Sequence, residues 1–371
     1  MIPVSAEHLH LVVIVVVLVA FGYKCADLVR APRPGVWGLC VGLLALAVAL
    51  VVGYQPVGVL LDRASPGAGW AVQHVVVFAG LLAMQVFYVS STHAPAARPR
   101  AILGRAAVAG AGAVLLLVAW AVARAVESPD WASVRWAEQP LAAGANLVFV
   151  AGVAVVLVLS SRLTLRWARI ADRPWLRRGL VVFTVGGVLS TVWAVHRIAY
   201  IVVAMTGSSL PWDQRYPELS LLALGVCTGV VGITLPAWAP RVVAVRQWVA
   251  HYRSYRRLEP LWLALREATP SIELRSSVPW WDMEYRLYRR VIEIWDGRAA
   301  LRGYLGAASG PAGEAAALRA ALAAKRAGTP GGASGGGVRE GGLVLADEVA
   351  WLERVAVCWG AAVSSPGSAV G

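Results

Sequence analysis

Acidic residues are scarce in this chain, and their placement excludes more than their number. Of 371 residues only 21 are Asp or Glu, and none lies within seven long apolar stretches at about 9–23, 37–57, 70–90, 106–123, 141–160, 180–205 and 219–238. Proton pumps and ion-coupled carriers place a carboxylate at mid-membrane to hold the coupling ion, so coupling of that kind is not expected. Lysine is rarer still, with Lys24 and Lys325 alone against 32 arginines. The seventh stretch therefore has no lysine for a retinal Schiff base. The four cysteines, Cys25, Cys40, Cys227 and Cys358, form no CxxC pair, which suggests neither a disulfide framework nor a zinc site. His8, His10, His74 and His196 lack any metal-ligand spacing. There is no HExxH, no GxSxG, no phosphate loop and no nucleotide-binding glycine box of a histidine kinase. No enzyme, no cofactor and no metal are expected.

What the chain does have is apolar length. Hydrophobic residues make up 58% and the mean hydropathy is +0.63, above an ordinary soluble domain. Most stretches hold about 20 residues, enough for an α-helix to cross roughly 30 Å of hydrocarbon. The first is shorter and borrows flanking residues such as Ala6 and Ala26. Strict alternation is absent, which excludes a β-barrel. The predicted fold class is an all-α integral membrane protein: a bundle of seven transmembrane helices followed by a small helical cytoplasmic domain. Gly38/Gly42 and Gly225/Gly229 have GxxxG spacing and predict close packing inside the bundle.

Arginine sets the expected orientation. The loops after the first, third and fifth stretches carry Lys24, Arg30, Arg33, Arg98, Arg100, Arg105, Arg162, Arg166, Arg169, Arg173, Arg177 and Arg178. The amino terminus and the other loops carry only Arg63, Arg124, Arg135 and Arg215. Positive loops stay in the cytoplasm, so the chain is expected to start outside and end inside, as a multi-pass protein of the plasma membrane. No basic residue precedes the first stretch, so it reads as a retained span. The formal charge of +13 fits a membrane-facing protein, and no nucleic-acid-binding pattern accompanies it.

Residues 1–240 form the expected bundle. Pro236 and Pro240 are expected to close the last span. A basic juxtamembrane segment, 241–258, follows, with Arg241, Arg246, Arg253, Arg256 and Arg257 interleaved with Val242, Trp248 and Tyr252. That pattern suits anionic lipid headgroups. A helical domain, 259–327, is expected to begin with a short helix over 261–268 and continue with longer ones over 283–305 and 313–326. In the second of these Leu287, Val291, Ile294, Leu301 and Leu305 form an apolar stripe, and Arg286, Arg289, Arg290 and Glu293 supply polar surface. Arg289 and Glu293 have the spacing of a helical ion pair. A Gly-rich linker spans 328–337. The last segment, 338–371, is read as an amphipathic helix over 343–358 with a disordered end from 364.

At Leu258-Glu259-Pro260-Leu261-Trp262-Leu263-Ala264-Leu265 and Tyr285-Arg286-Leu287-Tyr288-Arg289-Arg290-Val291-Ile292-Glu293-Ile294 the chain resembles an actinobacterial family of seven-span proteins. That family has a C-terminal cytoplasmic domain of unknown function and is commonly labelled as transporters. The resemblance covers about residues 250–306 and the layout of the spans. It implies transport as an activity and supplies no catalytic residues.

Polar residues inside the stretches are the candidate site, because intramembrane polar groups are costly and tend to be functional. His196 and Arg197 lie in the sixth stretch. Gln73, His74, Asn146, Tyr54 and Tyr200 fall at similar depth, and together they predict a ligand pocket in the outer half. Arg197 has an alternative, snorkelling outward toward Asp213 or Glu218. Two functions are weighed: a sensor or membrane-anchored signalling module, in which the 283–305 helix relays a signal to a cytoplasmic protein partner, and a transporter without carboxylate-based ion coupling.

Overall fold

The structure is a computed structural model that describes residues 6–30, 34–127, 137–273, 279–329 and 344–363. Among these residues it is helical throughout and holds no strand. Seven helices are long and apolar enough to cross a membrane. They are α1 (Ala6–Arg30), α2 (Pro34–Gly53), α4 (Ala68–Thr92), α5 (Arg98–Val126), α6 (Pro140–Ile170), α7 (Pro174–Met205) and α8 (Arg215–Ala268). The eight-residue α3 (Gln55–Asp62) stands between α2 and α4. Three further helices follow: α9 (Met283–Ala300), α10 (Gly310–Ala327) and α11 (Leu345–Val363). The Gly-rich stretch beyond Thr329 and the ending from Ser364 lie outside the described residues.

The helices outrun the apolar stretches that predict them. Helix α1 takes in Asp27, which pairs with Lys24 at 3.9 Å, and α8 takes in Glu218 in its first turn. The spans so defined are therefore not free of carboxylates, although the apolar stretches are. Proline opens α5, α6 and α7 at or next to their first residue, where the missing N–H has no intrahelical acceptor to lose. The Glu127 carboxylate caps α6 from the end of α5, accepting from Leu141 N at 2.8 Å and Ala142 N at 3.1 Å. It thereby satisfies two of the amides that every helix start leaves over.

The chain divides into two compact units, Met1–Pro240 and Arg241–Gly371. The boundary falls inside α8, so the helix does not stop at Pro236 or Pro240, and Pro260, expected to open a new helix, lies within it. All three prolines sit within one continuous helix. An interior proline costs about 3 kcal/mol through its lost N–H and ring clash, and packing offsets it here. Pro236 fits against Gly179 of α7, where a Cβ would stand 2.7 Å from its ring. Pro260 lies between the fully buried Leu258 and Leu261.

In the first unit, helices meet through small residues. A Cβ on Gly186 of α7 would lie 2.7 Å from the Gly229 Cα on α8, and one on Gly232 would lie 2.6 Å from the Phe183 Cα. On α2, a Cβ at Gly38 would meet the Ala83 carbonyl of α4 at 2.8 Å. Both GxxxG pairs thus mark internal seams. Large apolar side chains such as Val15, Leu115, Val148 and Val188 point outward, as a lipid solvent allows.

Among the described residues the second unit has one buried apolar core. Leu258, Leu261 and Leu265 from α8, Leu287, Val291 and Ile294 from α9, Leu318 and Leu322 from α10 and Leu352 and Val355 from α11 are buried together. Arg290 and Glu293, expected as polar surface, are each only 4% exposed. The Arg290 guanidinium lies between the rings of Tyr255 (3.5 Å) and Trp262 (4.4 Å) and donates to the Tyr255 carbonyl at 2.8 Å. Burial pushes that guanidinium below its ordinary pKa. Glu293 accepts from Trp262 Nε1 at 2.7 Å and pairs with Arg289 at 3.1 Å. Stacking on aromatic faces lets arginine enter a core that would exclude lysine.

Candidate functional site

The predicted pocket residues divide between two sides of the first unit. On α4, His74 is 7% exposed, with its ring stacked on Trp70 (4.1 Å between centroids) and edge-on to Phe149 of α6 (4.3 Å). Its Nδ1 lies 2.7 Å from the Trp70 carbonyl, an acceptor only, so that nitrogen carries the hydrogen. One turn before Phe149, Asn146 is completely enclosed, and neither Oδ1 nor Nδ2 has a hydrogen-bond partner among the described residues. The same is true of both ring nitrogens of His196 and of Trp193 Nε1 on α7. An amide without a partner in an apolar interior costs about 1–3 kcal/mol. Five polar atoms on two packed helices thus lie at one level of the bundle, between two apolar clusters, with no partner among the described residues.

Apolar clusters bracket this level. On one side Phe149, Val150 and Val153 pack with Leu116 and Ala194. On the other, Ala143 packs with Ile201 and Ala204, and Tyr200 rests against them. Arg197 pairs with Glu218 of α8, with side chains 17% and 21% exposed. Glu218 is one of the two acidic residues weighed as partners of Arg197. Gln73 and Tyr54 belong elsewhere. Gln73 packs its amide against Gly53 of α2. Tyr54 sits at the bend between α2 and α3, its ring 5.8 Å from that of His10 and packed against the α1–α2 cluster.

The sequence reading missed Trp70 and Phe149, the walls that hold His74. Both are aromatic residues in apolar stretches, where interfacial anchoring or core packing is the ordinary reading. The i, i+4 spacing of Trp70 and His74 was the available signal, since residues so spaced share a helix face.

Of the five arginines predicted to meet headgroups, Arg241, Arg246 and Arg253 lie exposed on α8. Arg256 pairs with Glu259 at 2.6 Å, and Arg257 approaches Glu353 of α11 at 3.4 Å. Trp248 stacks on Tyr252 at 5.5 Å and donates to the Trp281 carbonyl at 2.9 Å. This ties the start of the second unit to the aromatic pair Trp280–Trp281, both well exposed.

A groove of about 390 Å³ lies between the outward faces of α6 and α7. Val158, Leu165, Val188, Val192 and Val195 line it, with Arg162 along one wall. No grouping of three or more His, Cys, Asp or Glu suited to a metal occurs among the described residues.

Residues 247–362, from within α8 to the end region of α11, match the model of a family described as a family of unknown function (DUF6545). No curated protein and no solved structure matches the chain. The chain is thus a membrane protein of seven apolar helices whose C-terminal helical region matches a domain of unknown function.

Proposed function

We propose that the protein is a non-catalytic sensor or membrane-anchored signalling module of the plasma membrane, with its carboxyl-terminal unit in the cytoplasm. A small polar ligand at the Asn146–His196–His74 level biases the position of α7 and α8, and the second unit passes the change to a cytoplasmic protein. The observation that carries this reading is the continuity of α8. One helix holds Glu218, the partner of Arg197, near its start, and Leu258, Leu261 and Leu265, core residues of the second unit, near its end. The arginine bias of the loops supports the orientation.

The enclosed, unpartnered amide of Asn146 favours a second reading as well. A polar solute bound there and released on the other side would make the protein an uncoupled transporter, as the resemblance implies.

Hydrogen exchange on the full chain in lipid nanodiscs tests the coupling without a known ligand. Arg197→Ala is expected to raise exchange at residues 258–268 and along α9. Unchanged exchange there, with changes confined to α7 and the first turns of α8, overturns the sensor reading. Uptake of small polar solutes into proteoliposomes, lost in Asn146→Leu, would favour transport instead.

A further inference from the structure

The groove between α6 and α7 has the shape and charge of a site for one phospholipid molecule. Its register follows from the helix pair, since Ser161 of α6 stands against Gly187 of α7. Arg162 is then level with about Gly186, and the groove continues along α7 to Val195. At 1.5 Å per residue that leaves an apolar channel roughly 14 Å long beyond the guanidinium. Half of a hydrocarbon layer is roughly 15 Å.

The walls are more apolar than their composition. Thr184 Oγ1 donates to the Leu180 carbonyl at 2.9 Å, and Thr191 Oγ1 donates to the Gly187 carbonyl at 2.8 Å. Both hydroxyls are thereby turned to their own helix. Val188, Val192 and Val195 are 53%, 46% and 58% exposed, so the groove opens to the lipid side of the bundle. Arg162 follows directly after the apolar part of α6, at the depth of the headgroups, and Arg166 stands one turn farther on. Beyond Ser161 and Arg162 the walls offer a polar solute no free group, whereas an acyl chain fills them and its phosphate meets a cation.

We infer that this groove is a specific binding site for an anionic phospholipid, with the acyl chain along Val188–Val195 and the phosphate on Arg162. The inference does not rest on the polar level around Asn146, and its test does not depend on the proposed function.

Native mass spectrometry of the full chain released from nanodiscs with equal phosphatidylglycerol and phosphatidylcholine provides the test. One phosphatidylglycerol is expected to stay bound, preferred by about fivefold, the effect of one arginine at a membrane surface. Arg162→Gln should bring that preference to parity, while Arg166→Gln, outside the groove, leaves it. Val188→Trp, on a lipid-facing position, should fill the channel and remove the retained lipid. Glycerol phosphate, which lacks acyl chains, should not displace it. Parity in the unaltered protein overturns the proposal. So does an equal loss in both arginine variants, retention unchanged by Val188→Trp, or displacement by glycerol phosphate.

Discussion

The two units of this chain solve packing in opposite ways. In the first, backbones approach through glycine, with Gly186 on Gly229 and Gly38 on Ala83, and many large aliphatic side chains face outward, beside smaller buried clusters such as Leu116 with Val150 and Val153. In the second, leucines, valines and tryptophans fill one interior, and buried charges are admitted only where they stack or pair, as Arg290 and Glu293 do. The difference follows from the solvent. Lipid tails are as apolar as leucine, so burying leucine between helices gains nothing in a bilayer, and close backbone contact takes its place. In water apolar burial does gain, and a side-chain core like that of the second unit suits such a solvent.

Substitutions in each unit can break this contrast. The largest effect is expected for Glu293→Ala, which removes the carboxylate from Arg289 and Trp262 within the core. Stripping one partner from a buried charged network costs about 3–5 kcal/mol. Denaturant unfolding of the purified protein, followed by a probe in α9, measures it. A loss below about 1 kcal/mol would mean that the core tolerates unpaired charge.

Gly186→Ala comes next. Its Cβ has no room against the α8 backbone, so the seam must open, at a cost of about 1–3 kcal/mol typical of overpacking. The thermal transition of the first unit in detergent is expected to fall, while Gly144→Ala, with nothing near its Cβ, leaves it in place. Asn146→Leu should act in the other direction and raise that transition by roughly 1 kcal/mol, because the unpartnered amide is replaced by an apolar group. A lowered transition would show that the amide contributes to the fold. Arg257→Ala is expected to change stability least, by under about 1 kcal/mol, since its contact with Glu353 is long and its side chain is 62% exposed.

The seven spans were legible because each repeats one simple demand, an apolar run of membrane length. The prolines of α8 were not. Pro236 and Pro260 break a helix by local rule, and only their neighbours, Gly179 in one case and Leu258 with Leu261 in the other, keep the helix whole. Arg290 was hidden for a similar reason. A charged residue beside an apolar stripe reads as surface until the rings of Tyr255 and Trp262 are brought around it by residues 28 or more positions away. Residue type singled out His74, Asn146, His196 and Arg197 as candidates. Depth alone could not separate them from Gln73 and Tyr54, because the helix face that each occupies depends on which helices become neighbours.

The seam between α7 and α8 has a mechanical consequence. Pro236 seats on Gly179, Ser190 on Gly225 and Phe183 on Gly232, so each helix carries knobs that fill the hollows of the other. Such a contact resists both separation and sliding, because backbone atoms already touch and the knobs block axial travel. Two helices joined in this manner respond to a load as one rigid rod, and a push on either is felt by both.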